Sequence, residues 1–371
     1  MRIIGGTAKG HTIKAPKGVD TRPTLDRVRE SVFNVLSNRG IFGTHVLDIF
    51  SGTGAVAIEA LSRGAAHAVA VDFKTGKLIL ALVFLMLFAD ASMAAKWKAK
   101  HVVLIGLDGW GAYSVNKAEM PNVKKLMEEG SYTLKKRSVL PSSSAVNWAS
   151  MYMGAGPELH GYTEWGSQTP ELPSRVVNKH GIFPTVFSLL RESDPKAEIG
   201  CICEWAGIRY VVDTLALSYD KNITEKPQNP ATAKCAVEYI KRARPALVNI
   251  VFDEPDHVGH AEGHDTPAYY EKLKELDGYI GQIIQAVKDA GMLDETIFIV
   301  TADHGGIKKG HGGKTMEEME TAFIIAGKGI KKGYEFQESM MQFDCASTIA
   351  YIFGLKQPQV WIGRPMIQVF K

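Results

Sequence analysis

Cysteine is scarce, and nowhere do two cysteines take the Cys-x-x-Cys spacing of a metal or redox motif. The four thiols are Cys201, Cys203, Cys235 and Cys345. Cys201 and Cys203 lie two apart in a strand-like run, so they face the same side. That pattern supports no disulfide framework, and buried free thiols are expected. A charge excess is missing too. Lys and Arg total 43 against 40 Asp and Glu, a net charge of +3, so the chain is no polyelectrolyte. All of the excess falls in residues 1–73, mostly before residue 30. A short basic arm suits a nucleic-acid partner or plain solvation equally. Nor does any apolar run reach the ~20 residues of a membrane span. Core-forming material is plentiful: 45% of the 371 residues are hydrophobic, enough for two domains.

Residues 74–95 read KTGKLILALVFLMLFADASMAA. Lys74 and Lys77 precede an apolar run from Leu78 to Ala89, Asp90 ends it, and small residues follow. This is the order of a secretory signal peptide, with cleavage at Ser92-Met93-Ala94 or Met93-Ala94-Ala95. A buried core helix is the competing reading. The segment lies inside the chain, so the sequence reads as two joined pieces. If the segment is processed, the second piece is exported to the periplasm or the medium. If not, residues 78–89 anchor it at a membrane. Three divisions follow: 1–73, 74–95 and 101–371.

In the first piece, a strand (VLDIF, 46–50) leads into SGTG, a helical run and a second strand (HAVAVD, 67–72). This is how a doubly wound, Rossmann-like sheet begins, with a Gly-rich turn and an acid at the end of the second strand. MRIIGGTAKG, APKGVDTRPTLDRVRESVFNVL and VLDIFSGTGAVAIEALSRGA together resemble the N-terminal part of the 16S rRNA guanine-N2 methyltransferases. The resemblance implies S-adenosylmethionine contacts at Asp48, Ser51, Gly52, Gly54 and Asp72, and an RNA-facing arm around Arg22 and Arg27. That family holds its target amine with an Asn/Asp-Pro-Pro-Tyr/Phe motif, and this sequence has none. The piece is therefore a truncated fragment. No methyl transfer, no productive S-adenosylmethionine binding and no RNA partner are expected of it.

In the second piece, strand-like and helix-like segments alternate, as in an α/β fold. HVVLIGL (101–107) runs into Asp108, ALVNIVF (246–252) into DEPDHVGH, and TIFIVTA (296–302) into Asp303-His304. Ligands bind beyond the carboxyl ends of strands in such sheets, so three segments converge on one rim. Five of the eleven histidines, His257, His260, His264, His304 and His311, fall between 257 and 311. Carboxylate with imidazole suits zinc and other transition metals. Helices are expected at 145–153, 231–243 and 266–290, the last two as amphipathic covers.

GLDGWG, SSSAVNWASMYMGAGPELHG, DEPDHVGH, TADHGG and GHGG, in that order, resemble the alkaline phosphatase superfamily. They look most like its type I phosphodiesterase/nucleotide pyrophosphatase branch. The resemblance implies a mostly parallel sheet flanked by helices, and two divalent cations, expected to be Zn2+. One cation would be held by Asp256, His260 and His311, the other by Asp108, Ser144, Asp303 and His304. Ser144 would be the nucleophile and form a phosphoseryl intermediate on a small phosphate ester or nucleotide. Asn147 would donate to a phosphate oxygen. An SSS run before a helix is also an ordinary N-cap; spacing to Gly154, Pro157, His160 and Gly161 selects Ser144. Relatives in this branch often carry threonine there, with Phe-Pro where Ala145-Val146 stand.

Weaker signals surround these. His257 and His264 suit either contacts to the ligating side chains or substrate, or exposed loop positions, and the exposed loop is the expectation. Trp110, Trp148 and Trp165 either pack the rim or stack on a ring. Asn222-Ile223-Thr224 is a glycosylation sequon. A phosphomonoesterase of the same superfamily is the near alternative. A sulfatase lacks its CxPxR context here, a phosphotransferase its large insertion, and a binding protein has no need of a positioned nucleophile.

Overall fold

The computed structural model describes residues 2–13, 24–38, 41, 43–49, 51–71 and 97–371. The chain divides into two units, Met1–Ala94 and Ala95–Lys371. Asp72, Arg22 and the apolar run 78–89 lie outside the described residues. Among those that are described, no helix is long and apolar enough to cross a membrane.

In the first unit, β1 (His45–Asp48) pairs in parallel with β2 (His67–Ala70) through the helix Ala55–Ser62. Gly54 starts that helix with φ 71°, a left-handed turn that suits glycine. Asp48, Ser51, Gly52 and Gly54 all lie on this strand-to-helix turn, and Asp48 keeps a buried Oδ2 without a partner. The core is small: Phe33, Ile41, Ala60 and Ala65. Leu47, Ile49 and Val69 remain 39–51% exposed, whereas strands of parallel sheets ordinarily have both faces covered. Arg27 sits exposed on the helix Asp26–Asn38.

The second unit is built on an eight-stranded sheet. Its strands are β3 (His101–Leu107), β4 (Gly130–Arg137), β5 (Ile199–Cys203), β6 (Tyr219–Asn222), β7 (Leu247–Phe252), β8 (Thr296–Thr301), β9 (Glu320–Gly327) and β10 (Tyr334–Glu335). Their spatial order is β10-β4-β9-β8-β3-β7-β5-β6. β9 alone runs antiparallel to its neighbours. The central strands read as unbroken apolar runs because both faces are covered. Along β3, Val102 and Leu104 enter one core, which contains the helices Ser144–Met153, Val186–Ser193 and Asp344–Ile352. Val103, Ile105 and Leu107 enter the other, under Pro121–Glu129, Gln228–Ala243 and Pro267–Asp289. Cys201 and Cys203 share the first core while Ile202 joins the second, and all four thiols are free. The three strand ends expected to converge, those of β3, β7 and β8, are contiguous in the sheet.

Candidate functional site

Asp108, Asp253 and Asp303 follow directly, or by one residue, on β3, β7 and β8 at the carboxyl rim. Asp256 and His260 lie one turn apart on the short helix Asp256–Glu262, so both side chains share a face. Asp256 Oδ2 is 3.1 Å from His260 Nε2 and 3.7 Å from His311 Nε2. His304 Nε2 is 3.4 Å from Asp108 Oδ1 and 3.2 Å from Asp303 Oδ2. The His304 and His311 rings stack with centroids 3.8 Å apart. Close approach needs a bare backbone at Gly109, which has φ 68°; a Cβ there would come within 2.6 Å of Asp256 Oδ1.

The backbone sets the tautomers. His260 Nδ1 is 2.9 Å from the carbonyl of Lys309, His304 Nδ1 2.7 Å from that of Gly305, and His311 Nδ1 3.1 Å from that of Ser142. A carbonyl only accepts, so each Nδ1 carries the hydrogen and, in the neutral ring, each Nε2 presents a lone pair. All three Nε2 atoms thus point among carboxylate oxygens; without a cation, His260 Nε2 also carries a proton, which Asp256 Oδ2 accepts at 3.1 Å. Asp256 Oδ1 and Asp303 Oδ2 are also buried without a hydrogen-bond partner. Such an array is repulsive as it stands and fits a cation. Asp256, His260 and His311 form one compact donor group; Asp108, Asp256 and His304 form a second. Asp256 is shared by both.

Charge follows the same geometry. Burial alone would raise Asp256, but the His260 hydrogen bond and the neighbouring imidazoles hold it at about 2. The hydrogen bond to Asp256 lifts His260 to about 9. Burial, then Asp256, pushes Asp303 to about 7, and burial with Asp303 and Asp256 drives Asp108 well above the usual carboxylate range.

Ser144 opens the helix Ser144–Met153, one residue earlier than expected, and Ser143 precedes it without a side-chain cap. Ser144 Oγ lies 3.1 Å from His304 Nε2 and 3.5 Å from Asp108 Oδ1. Since Nε2 is the unprotonated nitrogen, the hydroxyl donates to it. The strand leading here braces the acid turn as well: Lys136 Nζ donates to the Ala302 carbonyl and Ser138 Oγ to that of Asp303, both at 2.6 Å. Lys136 is fully buried, and desolvation lowers it to about 7.

Several residues depart from expectation. Asn147 is not turned to a ligand. Its amide nitrogen donates to the carbonyls of Val139, Pro141 and Ser143, and its oxygen accepts from Val139 N. The group is committed to folding the loop that delivers Ser144, so it is a positioning residue. His264, expected in an exposed loop, is buried, with Nε2 3.4 Å from Asp256 Oδ1. His257 is exposed as expected and borders the cavity. Trp110 and Trp148 are buried, and Trp148 Nε1 holds Asp108 Oδ2 at 3.1 Å. Asn222 spends its amide on the carbonyls of Cys203 and Glu204, which leaves the sequon's nitrogen occupied.

A cavity of about 360 Å³ opens over Ser144, Asp108 and Asp256. Trp165 and Trp205 stand at its wall with rings stacked 6.2 Å apart. Trp165 is 62% exposed, and its carbonyl accepts from Ala145 N at the helix start. Trp205 and Glu204 escaped the sequence reading. They follow β5 as Asp108 follows β3, and the same strand-end rule applied to IGCICEW would have found them. Asp253 lines the cavity, and its Oδ1 accepts from Trp205 N at 2.9 Å; Glu204 Oε2 accepts from Asp253 N at 3.0 Å.

Burial raises Glu204 to about 7; burial and then Glu204 raise Asp253 to about 8. Both are acids with raised folded-state values. The fold keeps protons that the unfolded chain releases near ~pH 4, so stability falls as pH climbs from ~4 through ~8. Glu204→Gln should therefore stabilise the chain by on the order of 2 kcal/mol near ~pH 8 and hardly at all near ~pH 5. Thermal melts at the two pH values check this; an equal gain at both contradicts it.

Comparison with known proteins accords with this geometry. Residues 102–323 match the family described as Type I phosphodiesterase / nucleotide pyrophosphatase. Residues 1–79 match the one described as Conserved hypothetical protein 95. The mouse bis(5'-adenosyl)-triphosphatase enpp4 is 24% identical over 219 residues, 56% of this chain and 47% of that protein. The putative rRNA methyltransferase YlbH of Bacillus subtilis is 49% identical over 72 residues, 19% of this chain and 39% of that protein. The chain thus spans less than half the length of these curated relatives. Murine ectonucleotide pyrophosphatase / phosphodiesterase 5, solved in complex with AMP, superposes on 73% of this chain and 98% of its own, with TM-score 0.60 and 15% identity. That likeness is one of fold: a mostly parallel α/β sheet with flanking helices.

Proposed function

The chain belongs to the type I phosphodiesterase / nucleotide pyrophosphatase family, and from that premise we propose that residues 101–371 hydrolyse phosphate diesters or nucleotide pyrophosphates through a phosphoserine on Ser144. The observation that carries this reading is the set of three imidazoles whose Nδ1 atoms are tied to carbonyls, which turns their Nε2 atoms among buried carboxylates beside a serine hydroxyl.

Asp256, His260 and His311 would hold one divalent cation, and Asp108, Ser144, Asp303 and His304 the other. The mixed carboxylate and imidazole set favours zinc. Such a pair supplies positive charge that lowers the seryl pKa and stabilises the phosphoryl and leaving oxygens. Ser144 gives up its proton to solvent, from which the leaving oxygen takes one as it departs, and Oγ attacks phosphorus in line with that oxygen. The bond to that oxygen breaks and a phosphoserine forms. Water then cleaves the Oγ–P bond and restores the serine. First-turn N–H groups of the helix, without a side-chain cap, favour the phosphoryl oxygens. Asn147 keeps the Val139–Ser143 loop in place while this happens. Trp165 and Trp205 offer a flat apolar wall, which favours a substrate with an aromatic ring such as a nucleotide; the murine relative of the same fold was solved with AMP.

Residues 1–73 contribute no methyl transfer under this reading, and residues 74–95 serve export or anchoring of the hydrolase.

Hydrolysis of a nitrophenyl phosphodiester beside its monoester, with zinc present, tests the proposal. Faster turnover of the diester is expected. Faster turnover of the monoester would reassign the chain to the phosphomonoesterases, and no turnover of either would remove the reading.

A further inference from the structure

The described residues include one more buried histidine beside the donor groups, and nothing said so far uses it. His264 has a side chain with no solvent exposure. Its backbone N–H donates to the Lys308 carbonyl at 2.6 Å, which fixes the residue against the loop carrying His311. Two glycines make room for the ring. A Cβ at Gly259 would come within 2.4 Å of it, and one at Gly306 within 2.2 Å. The ring is thereby wedged between the helix that bears Asp256 and the segment that follows His304. Its Nε2 lies 3.4 Å from Asp256 Oδ1. Both atoms are buried, and neither has a hydrogen-bond partner. The ring's Nδ1 lies just as far, 3.4 Å, from the Lys308 carbonyl; at equal distance an ionised carboxylate is the stronger acceptor than a neutral carbonyl, which favours the tautomer with its hydrogen on Nε2.

The two oxygens of Asp256 have different surroundings. Oδ2 faces His260 and His311. Oδ1 faces the His264 ring and the bare backbone of Gly109. A carboxylate shared by two donor groups turns easily about its last bond, and each turn would disturb both groups. A donor on Oδ1 stops that rotation. A buried N–H and a buried carboxylate oxygen in such proximity gain by closing the remaining few tenths of an ångström.

We propose that His264 is a positioning residue: its Nε2–H holds Asp256 Oδ1 and so aims Oδ2 at the cation shared with His260 and His311. This rests on the two-cation reading above. Outer partners of ligating side chains are commonly worth 10–100-fold in cation affinity, and that is the range expected here.

The experiment is zinc titration of the full chain stripped of metal, followed by calorimetry, for wild type, His264→Phe and His264→Gln. Phenylalanine keeps the ring and loses the donor; glutamine restores an N–H at about the same reach. The phenylalanine variant should bind one of the two zinc ions about 10–100-fold more weakly while its metal-free melting temperature stays at the wild-type value. The glutamine variant should bind within a few-fold of wild type. Should phenylalanine prevent folding, His264→Met takes its place with the same expectation. Wild-type affinity in the variant without a donor overturns the proposal, as does an equal loss in glutamine, because packing alone would then explain the ring. A wild-type chain that takes up no zinc overturns the two-cation reading, and this inference with it.

Discussion

Ser144→Ala abolishes turnover and leaves cation uptake in place. Ser144 Oγ is the hydroxyl that touches His304 and Asp108, and the residue is only 4% exposed. Neighbouring Ser142 is taken by Gly313, its Oγ donating to that carbonyl at 2.6 Å. Ser143 Oγ is buried without a partner and makes no hydrogen bond to His304 or Asp108, so a loss of about 10⁴-fold or more is expected, as for other covalent nucleophiles. The remaining donors proposed for that cation, Asp108, Asp303 and His304, lie on other segments and keep their places. Zinc stoichiometry should therefore match the wild type. Ser144→Thr keeps an attacking hydroxyl and should retain measurable activity. Steady-state kinetics beside metal analysis checks both; wild-type rates in the alanine variant would remove the assignment.

Asp256→Asn carries the second large effect. This carboxylate belongs to both donor groups, and its charge sets His260 at about 9. An amide there weakens the cation site formed with His260 and His311 and removes a negative charge beside Asp108 and His304, so zinc uptake and turnover should fall together by more than tenfold. A chelator should do the same to the wild type, and added zinc should reverse it. The pH dependence has a definite sign. Asp303 rises to about 7 and Asp108 rises well above its usual range, both chiefly through burial. Protons on these groups must leave before a cation binds, so zinc affinity should strengthen as pH climbs through about 7. Affinity unchanged by pH, or an asparagine variant that keeps both zinc ions, would contradict this arrangement.

Much of the site can be read from the chain because it follows a local rule. Apolar runs of strand length end in acids, and β3, β7 and β8 deliver Asp108, Asp253 and Asp303 to one rim. The limits are equally physical. His264 lies in a stretch that reads as an exposed loop; only the packing of Gly259 and Gly306 around its ring buries it. The fate of the Asn147 amide depends on a loop that folds back six to eight residues earlier. The Trp165–Trp205 stack joins residues forty positions apart, and no periodicity encodes such a meeting. In the first unit, the strand–turn–helix–strand pattern is legible and forms. Among the described residues its sheet has two strands, and Leu47, Ile49 and Val69 on them or beside them stay exposed.

The central claim is that Ser144 becomes phosphorylated during turnover. Acid quenching of the zinc-loaded chain during turnover of a phosphodiester, followed by peptide mass analysis, tests it most directly. The account predicts phosphate on the peptide containing Ser144 and none in the alanine variant. Turnover at full rate with phosphate never on Ser144 would contradict it.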